Sequence, residues 1–429
     1  MTSTTGSDTT SAPPCPTCGA SLAPTDRFCE SCGTALERSA DGPPGPDDGT
    51  AIDAAVQTEA TDEEGGPPAT AVVRAPGATA ATCLHCAGSI DDDGFCSNCG
   101  ARGRTQRDHW TESPASWVGG VCDIGERHAR NEDAMAMWVD DAATARRAVL
   151  VVCDGVTTAP HSDRASLAAA ADSTRHMADV LTATDARSVA GAIESATDAL
   201  VAGCRLAQVA VLGVTRDLGN PTEGPSCTFA AAIVADGVLA AGWCGDSRVY
   251  WMPDHGAARQ VSVDHSLASV LIAEGASRSD AESDPTAHTI TRWLGADSFE
   301  PVADTATVAL DDSGWVVVCS DGLWNYASEA GSIGELLSAA VADGAVGPTG
   351  VAESLAATAN LRGGHDNVTV VLARIEAEDL TDDGGPIDGG AIDGGTVDRG
   401  IVDGGAVDEA VVSNIGHSDE ADESVEREG

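Results

Sequence analysis

A layered domain that mixes buried β-strands with alanine-rich helices, preceded by two small cysteine modules, is what this sequence predicts. Three observations lead there. Five apolar runs of strand length, at 148–153, 227–234, 238–244, 315–319 and 367–375, punctuate a stretch of globular texture from about Trp117 to Ile375. Two alanine-rich segments, 163–182 and 186–211, carry apolar spacing suited to helices. Cys-x-x-Cys pairs occur four times within the first 100 residues.

The chain divides by composition. Residues 1–14 are Ser/Thr-rich and read as disordered, 15–33 are a first cysteine module, and 34–82 are a flexible linker rich in Pro, Gly, Asp, Ala and Thr. Residues 83–100 are a second module, 101–116 a second linker, and 117–376 the globular domain, of a size that supports a layered core. In that domain Ser162 or Asp163 is placed to cap the first helix, and a shorter helix at 266–275 ends on Gly275. Residues 377–429 form an acidic tail with aspartates every five residues, Asp383, Asp388, Asp393, Asp398, Asp403 and Asp408. That spacing fits neither an EF-hand loop nor the nine-residue calcium repeat, so a solvated disordered tail is expected.

The 429 residues carry 23 Arg and no Lys against 68 Asp+Glu, a formal net charge of −45. Such a surface repels phosphate backbones, which argues against nucleic-acid binding. The longest apolar run falls short of the about 20 residues that span a bilayer. The N-terminal stretch lacks the basic start and apolar core of a signal peptide. A cytoplasmic protein is expected, with no nucleic-acid and no membrane partner. The acidity fits a surface adapted to concentrated salt better than a composition bias confined to the tails, because lysine is missing from the globular part as well.

Cys15, Cys18, Cys29 and Cys32 repeat the two-residue spacing across ten residues; Cys83, Cys86, Cys96 and Cys99 do so across nine. Two such turns supply a tetrahedral sulfur shell for zinc, and disulfides are disfavoured in a chain without a secretion signal. Two structural Zn²⁺ are expected, with closed shells and no catalytic role. The modules resemble short zinc ribbons and suit docking of a further protein, or a purely structural part at the N-terminus. The other six cysteines, Cys122, Cys153, Cys204, Cys227, Cys244 and Cys319, read as buried inert thiols.

A repeated junction carries the chemistry. Apolar strands run into Asp154-Gly155, Gly245-Asp246 and Asp321-Gly322; Asp366 precedes the last strand, and Glu132 and Asp133 follow a first strand and turn at 117–126. Any one of these is an ordinary turn. Five in order, if the strands lie side by side, gather carboxylates at one edge, where they repel unless cations neutralise them. Oxygen-only ligands favour Mg²⁺ or Mn²⁺.

The residues at these junctions, Cys122 to Asp133, Val152 to Gly155, Gly245 to Tyr250, Asp264 to Ser266, Cys319 to Trp324 and Gly363 to Thr369, resemble in order the motifs of the metal-dependent protein serine/threonine phosphatases of the type 2C group. The resemblance implies an α+β fold: a β-sandwich of two mainly antiparallel sheets flanked by helices, four layers in αββα order, with the metal site at one end. It implies that Asp154 bridges two ions, Asp321 and Asp366 complete the first site, and the Gly155 carbonyl with Glu132 and Asp133 serves the second. Asp246 would lie near a third site, and Asn367 would orient Asp366. It also implies hydrolysis of phosphoserine or phosphothreonine by metal-activated water, with phosphorylated proteins and a cognate Ser/Thr kinase as partners. Two positions depart from the family pattern. His128 stands where a phosphate-binding Arg is usual, so Arg127 or Arg130 is expected to hold phosphate, and His128 to act as cation, proton donor or structural residue. Val156, Thr157 and Thr158 replace the usual residues after Gly155, so a general acid would come from His128, His161 or water. A phosphatase acting on anti-sigma-factor antagonists and a catalytically weak phosphoprotein-binding regulator are the alternatives. Independent modules predict that removing residues 1–110 leaves activity measurable on a small substrate.

Overall fold

The chain enters its first sheet earlier than its sequence suggests. In the computed structural model, which describes residues 83, 86–91, 94–100, 103–142, 145–184, 189–221 and 223–376, His109–Ala115 (β1) pairs antiparallel with Val118–Asp123 (β2). The second half of the expected linker at 101–116 is therefore an edge strand. Its sequence, HWTESPA, buries only Trp110 fully, and Pro114 is tolerated because an edge strand needs no second ladder. The first cysteine module, the 34–82 linker and the acidic tail lie outside the described residues.

Two antiparallel sheets follow from long apolar strands. Ala134–Ala142 (β3) and Ala145–Cys153 (β4) form a hairpin, followed by the helices Ser162–Ala183 (α1) and Val189–Asp217 (α2). Next come Ser226–Cys227 (β5), Phe229–Ala235 (β6), Val238–Cys244 (β7), Arg248–Pro253 (β8) and Arg259–Gln260 (β9). A segment with Leu267–Ala273 (α3), Arg278–Glu282 (α4) and Leu294–Gly295 (β10) leads to Asp304–Ala309 (β11) and Gly314–Cys319 (β12). The chain closes with Asp321–Trp324 (α5), Ala330–Ala342 (α6), Gly347–Leu361 (α7) and Val368–Ile375 (β13). One sheet has the order β1-β2-β13-β12-β8-β9, the other β11-β7-β6-β4-β3, and the short β10 pairs with β5.

Three apolar layers show the αββα order directly. In β4, Ala148, Leu150 and Val152 face the space between the sheets, whereas Val149, Val151 and Cys153 face α1 and α2. In β13, Val371, Ala373 and Ile375 point between the sheets, and Val368, Val370 and Leu372 point at α5–α7. Both faces of these strands are buried, which is why they read as unbroken apolar runs rather than alternating ones.

The α1 start differs from the expected cap. His161 occupies the N-cap position in left-handed conformation without a side-chain cap, and Ser162 Oγ instead donates to the carbonyls of Val156 and Ala159, both at 2.7 Å. The helix 266–275 is α3, capped by Ser266, whose side chain accepts from the Ser269 N–H. The segment Ala190–Asp217 of α2 is long and apolar enough to cross a membrane by length and composition. It was missed as such because Glu194, Asp198 and Arg205 interrupt every apolar run. Here one face of α2 packs on α1, β6 and β7, burying Ala196, Leu200, Cys204, Ala207 and Val211 as a core helix does.

Candidate metal centre

Strand register brings the acidic junctions to one end of the sandwich. Ala134 pairs with Cys153, so Asp133 enters β3 where Asp154 leaves β4. Phe229 pairs with Cys244, which places Gly245 and Asp246 at the same end of that sheet. In the other sheet Val368 pairs with Asp123, and Cys319 pairs with both Val370 and Arg248, so Asp321 and Asp366 emerge together. Asp133 Oδ2 joins the two sheets by accepting from Ser320 Oγ and Thr369 Oγ1, each at 2.7 Å.

The glycines after Asp154 and Asp321 are not turn residues, for neither has a positive φ. They are close approaches. A Cβ on Gly155 would lie 2.5 Å from the Glu132 carbonyl, and one on Gly322 would lie 1.8 Å from the Asn367 carbonyl. Each absent side chain lets one carboxylate-bearing segment press against another. Thr228 fixes Asp154 from the neighbouring strand: the Asp154 N–H donates to Thr228 Oγ1 (3.0 Å) and the Thr228 N–H to the Asp154 carbonyl (2.7 Å).

The electrostatics are those of crowded acids. Burial, then the charges of Asp133, Asp321, Asp366 and Asp246, hold the Asp154 carboxyl well above the usual range. Burial, then Asp321 and Asp133, raise Asp366; burial, then Asp321 and Asp264, raise Asp246. Burial pushes Glu132 up to about 7 and Asp133 up to about 6, the latter against the opposing hydrogen bonds of Ser320 and Thr369. Asp133 Oδ1 and Asp321 Oδ1 are buried without a hydrogen-bond partner. Unpaired buried acceptors among mutually repelling carboxylates fit an oxygen-liganded divalent cation.

The basic residues sort differently from one another. His128 Nε2 lies 3.2 Å from Asp366 Oδ1, and burial holds its pKa below the ordinary histidine value. Arg130 is exposed, with Nη2 3.9 Å from Glu132 Oε1, and Arg127 is exposed on the same loop. Asn367 does more than orient Asp366. Its backbone N–H donates to Asp366 Oδ1 (2.8 Å), while its side chain clips the 124–132 loop, donating to the carbonyls of Ile124 (2.8 Å) and Arg130 (3.1 Å) and accepting from the Glu132 N–H (2.7 Å). Thr228, Ser320, Thr369 and Arg107 were not singled out from sequence. Ser320 and Thr369 sit inside the motif segments, so their place beside Asp321 and Asn367 was the available signal.

Below Asp246, Arg248 forms a buried bidentate pair with Asp264 (2.6–3.0 Å) and lies 3.6 Å over the Trp324 ring, whose Nε1 donates to the Asp246 carbonyl at 3.0 Å. His265 anchors the preceding turn: the Gly245 N–H donates to its Nδ1 (3.0 Å) and its own N–H donates to the Gly245 carbonyl (2.9 Å). The six remaining cysteines are all buried. Burial raises the Cys122 and Cys319 thiols, but hydrogen bonding to Cys204 and His265 draws Cys244 down to about 6.

The second cysteine module forms a separate cluster. The sulfurs of Cys83, Cys86, Cys96 and Cys99 all lie within 4.8 Å of one another, with Cys83–Cys99 at 3.6 Å and Cys86–Cys96 at 3.5 Å. A tetrahedral zinc–thiolate shell has edges of about 3.8 Å from a Zn–S bond of about 2.3 Å, so the four sulfurs fit zinc. After the first pair, Ala87 stands where glycine follows the other pairs, and it adopts the same left-handed backbone, φ 57° against 72° at Gly100.

Comparison with known proteins agrees with both parts. Residues 125–332 match the family model described as protein phosphatase 2C, and residues 15–100 match that of the double zinc ribbon. Serine/threonine phosphatase stp of Listeria monocytogenes is 34% identical over 163 residues, which are 38% of this chain and 60% of that protein. The chain therefore spans about 60% of the length of the curated relatives it matches. The solved serine/threonine phosphatase of S. agalactiae covers 62% of this chain and 100% of its own, at 24% identity and a TM-score of 0.48. A catalytic domain of the serine/threonine protein phosphatase PstP, solved in complex with 2 manganese ions, covers 60% of this chain and 97% of its own, at 26% identity and a TM-score of 0.45.

Proposed function

We propose that this chain, whose residues 125–332 match the protein phosphatase 2C model and residues 15–100 that of the double zinc ribbon, hydrolyses phosphoserine and phosphothreonine in proteins at a centre of two or three Mn²⁺ or Mg²⁺ ions. One observation carries the reading: carboxylates from both sheets converge at one end of the sandwich, with Asp133 Oδ1 and Asp321 Oδ1 buried and unpaired.

Asp154, Asp321 and Asp366 would hold the first ion. Glu132, Asp133 and the Gly155 carbonyl would serve the second, and Asp246 with Asp321 a weaker third. Divalent ions, when bound, supply Lewis-acid activation of water and neutralise charge at the phosphoryl group. The chain's own residues do the rest. Arg130, exposed beside Glu132, and Arg127, exposed on the same loop, attract the phosphate against an overall field that repels it. His128 lies at the edge of the cluster with Nε2 3.2 Å from Asp366 Oδ1, where its imidazolium form would give a proton to the departing serine or threonine oxygen; burial, which holds its pKa below the ordinary value, makes that the minor form at neutral pH, and water is the other proton source. Ser320 and Thr369 carry no charge and hold the Asp133 carboxylate in place, while Thr228 holds the Asp154 backbone.

A cytoplasmic setting, a cognate Ser/Thr kinase, a protein partner on the ribbons, two structural zinc ions and a surface suited to high salt complete the proposal. The test is Mn²⁺-dependent release of phosphate from phosphoserine, phosphothreonine and phosphotyrosine peptides and from p-nitrophenyl phosphate, in low to multimolar KCl. The reading expects turnover of the first two peptides, lost in D154N. Phosphopeptide binding without turnover at any salt would favour a non-catalytic regulator instead.

A further inference from the structure

Arg107 lies between the two segments that match known families, in the stretch that reads as a linker. Its side chain nevertheless ends under the metal loop. Nε donates to the Asn131 carbonyl at 3.1 Å; Nη2 donates to the carbonyls of Asp133 and Asp163, both at 2.9 Å, and lies 3.5 Å from Ser166 Oγ. One guanidinium thus ties together the backbone on both sides of Glu132 and the start of α1. Ser166 returns the tie by donating to the Glu132 carbonyl at 2.5 Å.

The contact is built from several directions. Asn131 Nδ2 donates to the Arg107 carbonyl (3.1 Å), and Asn131 Oδ1 accepts from the Asp133 N–H (3.2 Å). The guanidinium sits 5.5 Å from the centre of the Trp110 ring, within cation–π range. The turn that presents it is locked by Asp108: the Thr105 N–H donates to Asp108 Oδ2 (2.7 Å), and the Ile124 N–H donates to the Asp108 carbonyl (2.8 Å). Only three residues separate Arg107 from Gly103, whose N–H donates to the Gly94 carbonyl of the cysteine module (2.7 Å).

We infer that Arg107 is a positioning residue for the second metal site: it holds the 131–133 backbone so that the Glu132 and Asp133 side chains face the cluster. Three carbonyls on one planar fork leave lysine a poor substitute, because a single ammonium cannot span them. The first site, built by Asp154, Asp321 and Asp366, receives no bond from Arg107. The inference rests on the proposed metal centre, and its signature is a split between the two ions.

The test is Mn²⁺ titration calorimetry on the full zinc-loaded chain, wild type against R107A and R107K, with circular dichroism to establish folding. The expected result is a first Mn²⁺ bound as in wild type and a second bound at least tenfold more weakly. Phosphatase assays on the same variants should need at least tenfold more Mn²⁺ for half-maximal rate, with kcat recovered at saturating metal. If R107A does not fold, R107K, which keeps the charge and the stem over Trp110, decides. A folded R107K with wild-type affinity for both ions overturns the inference, as does equal weakening of the two. A wild-type chain that binds no second Mn²⁺ removes the metal centre itself, and the inference falls with it; that result is distinct from two sites unaffected by substitution.

Discussion

Replacing Glu132 by Gln should stabilise the metal-free protein while impairing it as a metal binder. Burial is the main cause that moves Glu132 from 4.5 to about 7, and exposed Arg130 is the largest cause opposing it. A carboxyl whose folded pKa is raised holds its proton in the native state after the unfolded chain has lost it. Stability therefore falls as pH rises from about 4.5 to about 7, and the full cost is present above that window. A shift of about 2.5 units corresponds to about 3 kcal/mol. Gln carries no charge, so E132Q should gain about 3 kcal/mol at pH 8 but only about 0.8 kcal/mol at pH 5, where the native carboxyl is still protonated. For a domain of this size that is a rise in Tm of roughly 6–12 °C at pH 8. The assay is thermal unfolding of chelator-treated wild type and E132Q at both pH values and the same salt. Added Mn²⁺ should then stabilise wild type more than the variant, because the ion supplies the charge that the buried carboxylate lacks. An equal gain at pH 5 and pH 8, or none at pH 8, would refute the reasoning.

Other perturbations test other parts of the molecule. Arg248→Met leaves the buried Asp264 carboxylate without its cation, with Gln260 Nε2 still donating to it at 2.9 Å, and removes the cation over Trp324; a loss of about 3–5 kcal/mol is expected, read as a fall in Tm of roughly 10 °C or more. The double change C83S and C96S should lower bound zinc by one ion per chain in elemental analysis, with the two-sheet domain still folded by circular dichroism. Removing residues 1–110 takes away Arg107 and the start of β1, so activity of that truncation on a small substrate should need raised Mn²⁺. A chain starting at Gly103 should bind two Mn²⁺, and one starting at Thr111 should bind the second at least tenfold more weakly, by the same calorimetry.

Much of this was legible in the sequence where both faces of an element are buried. The runs at 148–153, 238–244 and 315–319 are β4, β7 and β12 to within three residues, because continuous apolar stretches of that length belong to two-sided core strands. The acidic junctions were legible for the same reason: each aspartate stands at a strand end that the apolar run makes visible. What was missed had weaker local signals. β3, AMAMWVDDA, is built from alanine and methionine, which favour helices when considered alone. β1 is a half-exposed edge strand, and α7 carries Gly347, Pro348 and Gly350 in its first turn. Arg107 had no pattern at all; its role comes from contacts with carbonyls 24, 26 and 56 residues away, which no spacing rule encodes. Asp154-Gly155 and Asp321-Gly322 looked like turns, and their glycines proved to be close-approach positions.

The central claim is that the carboxylates at the end of the sandwich form a divalent-cation centre. Anomalous diffraction at the manganese edge, on crystals grown with Mn²⁺, tests it without relying on turnover. Two strong peaks sharing Asp154 are expected, one also beside Asp321 and Asp366 and the other beside the Gly155 carbonyl with Glu132 and Asp133. No peak at this end of the sandwich, or manganese bound only elsewhere on the acidic surface, would contradict it.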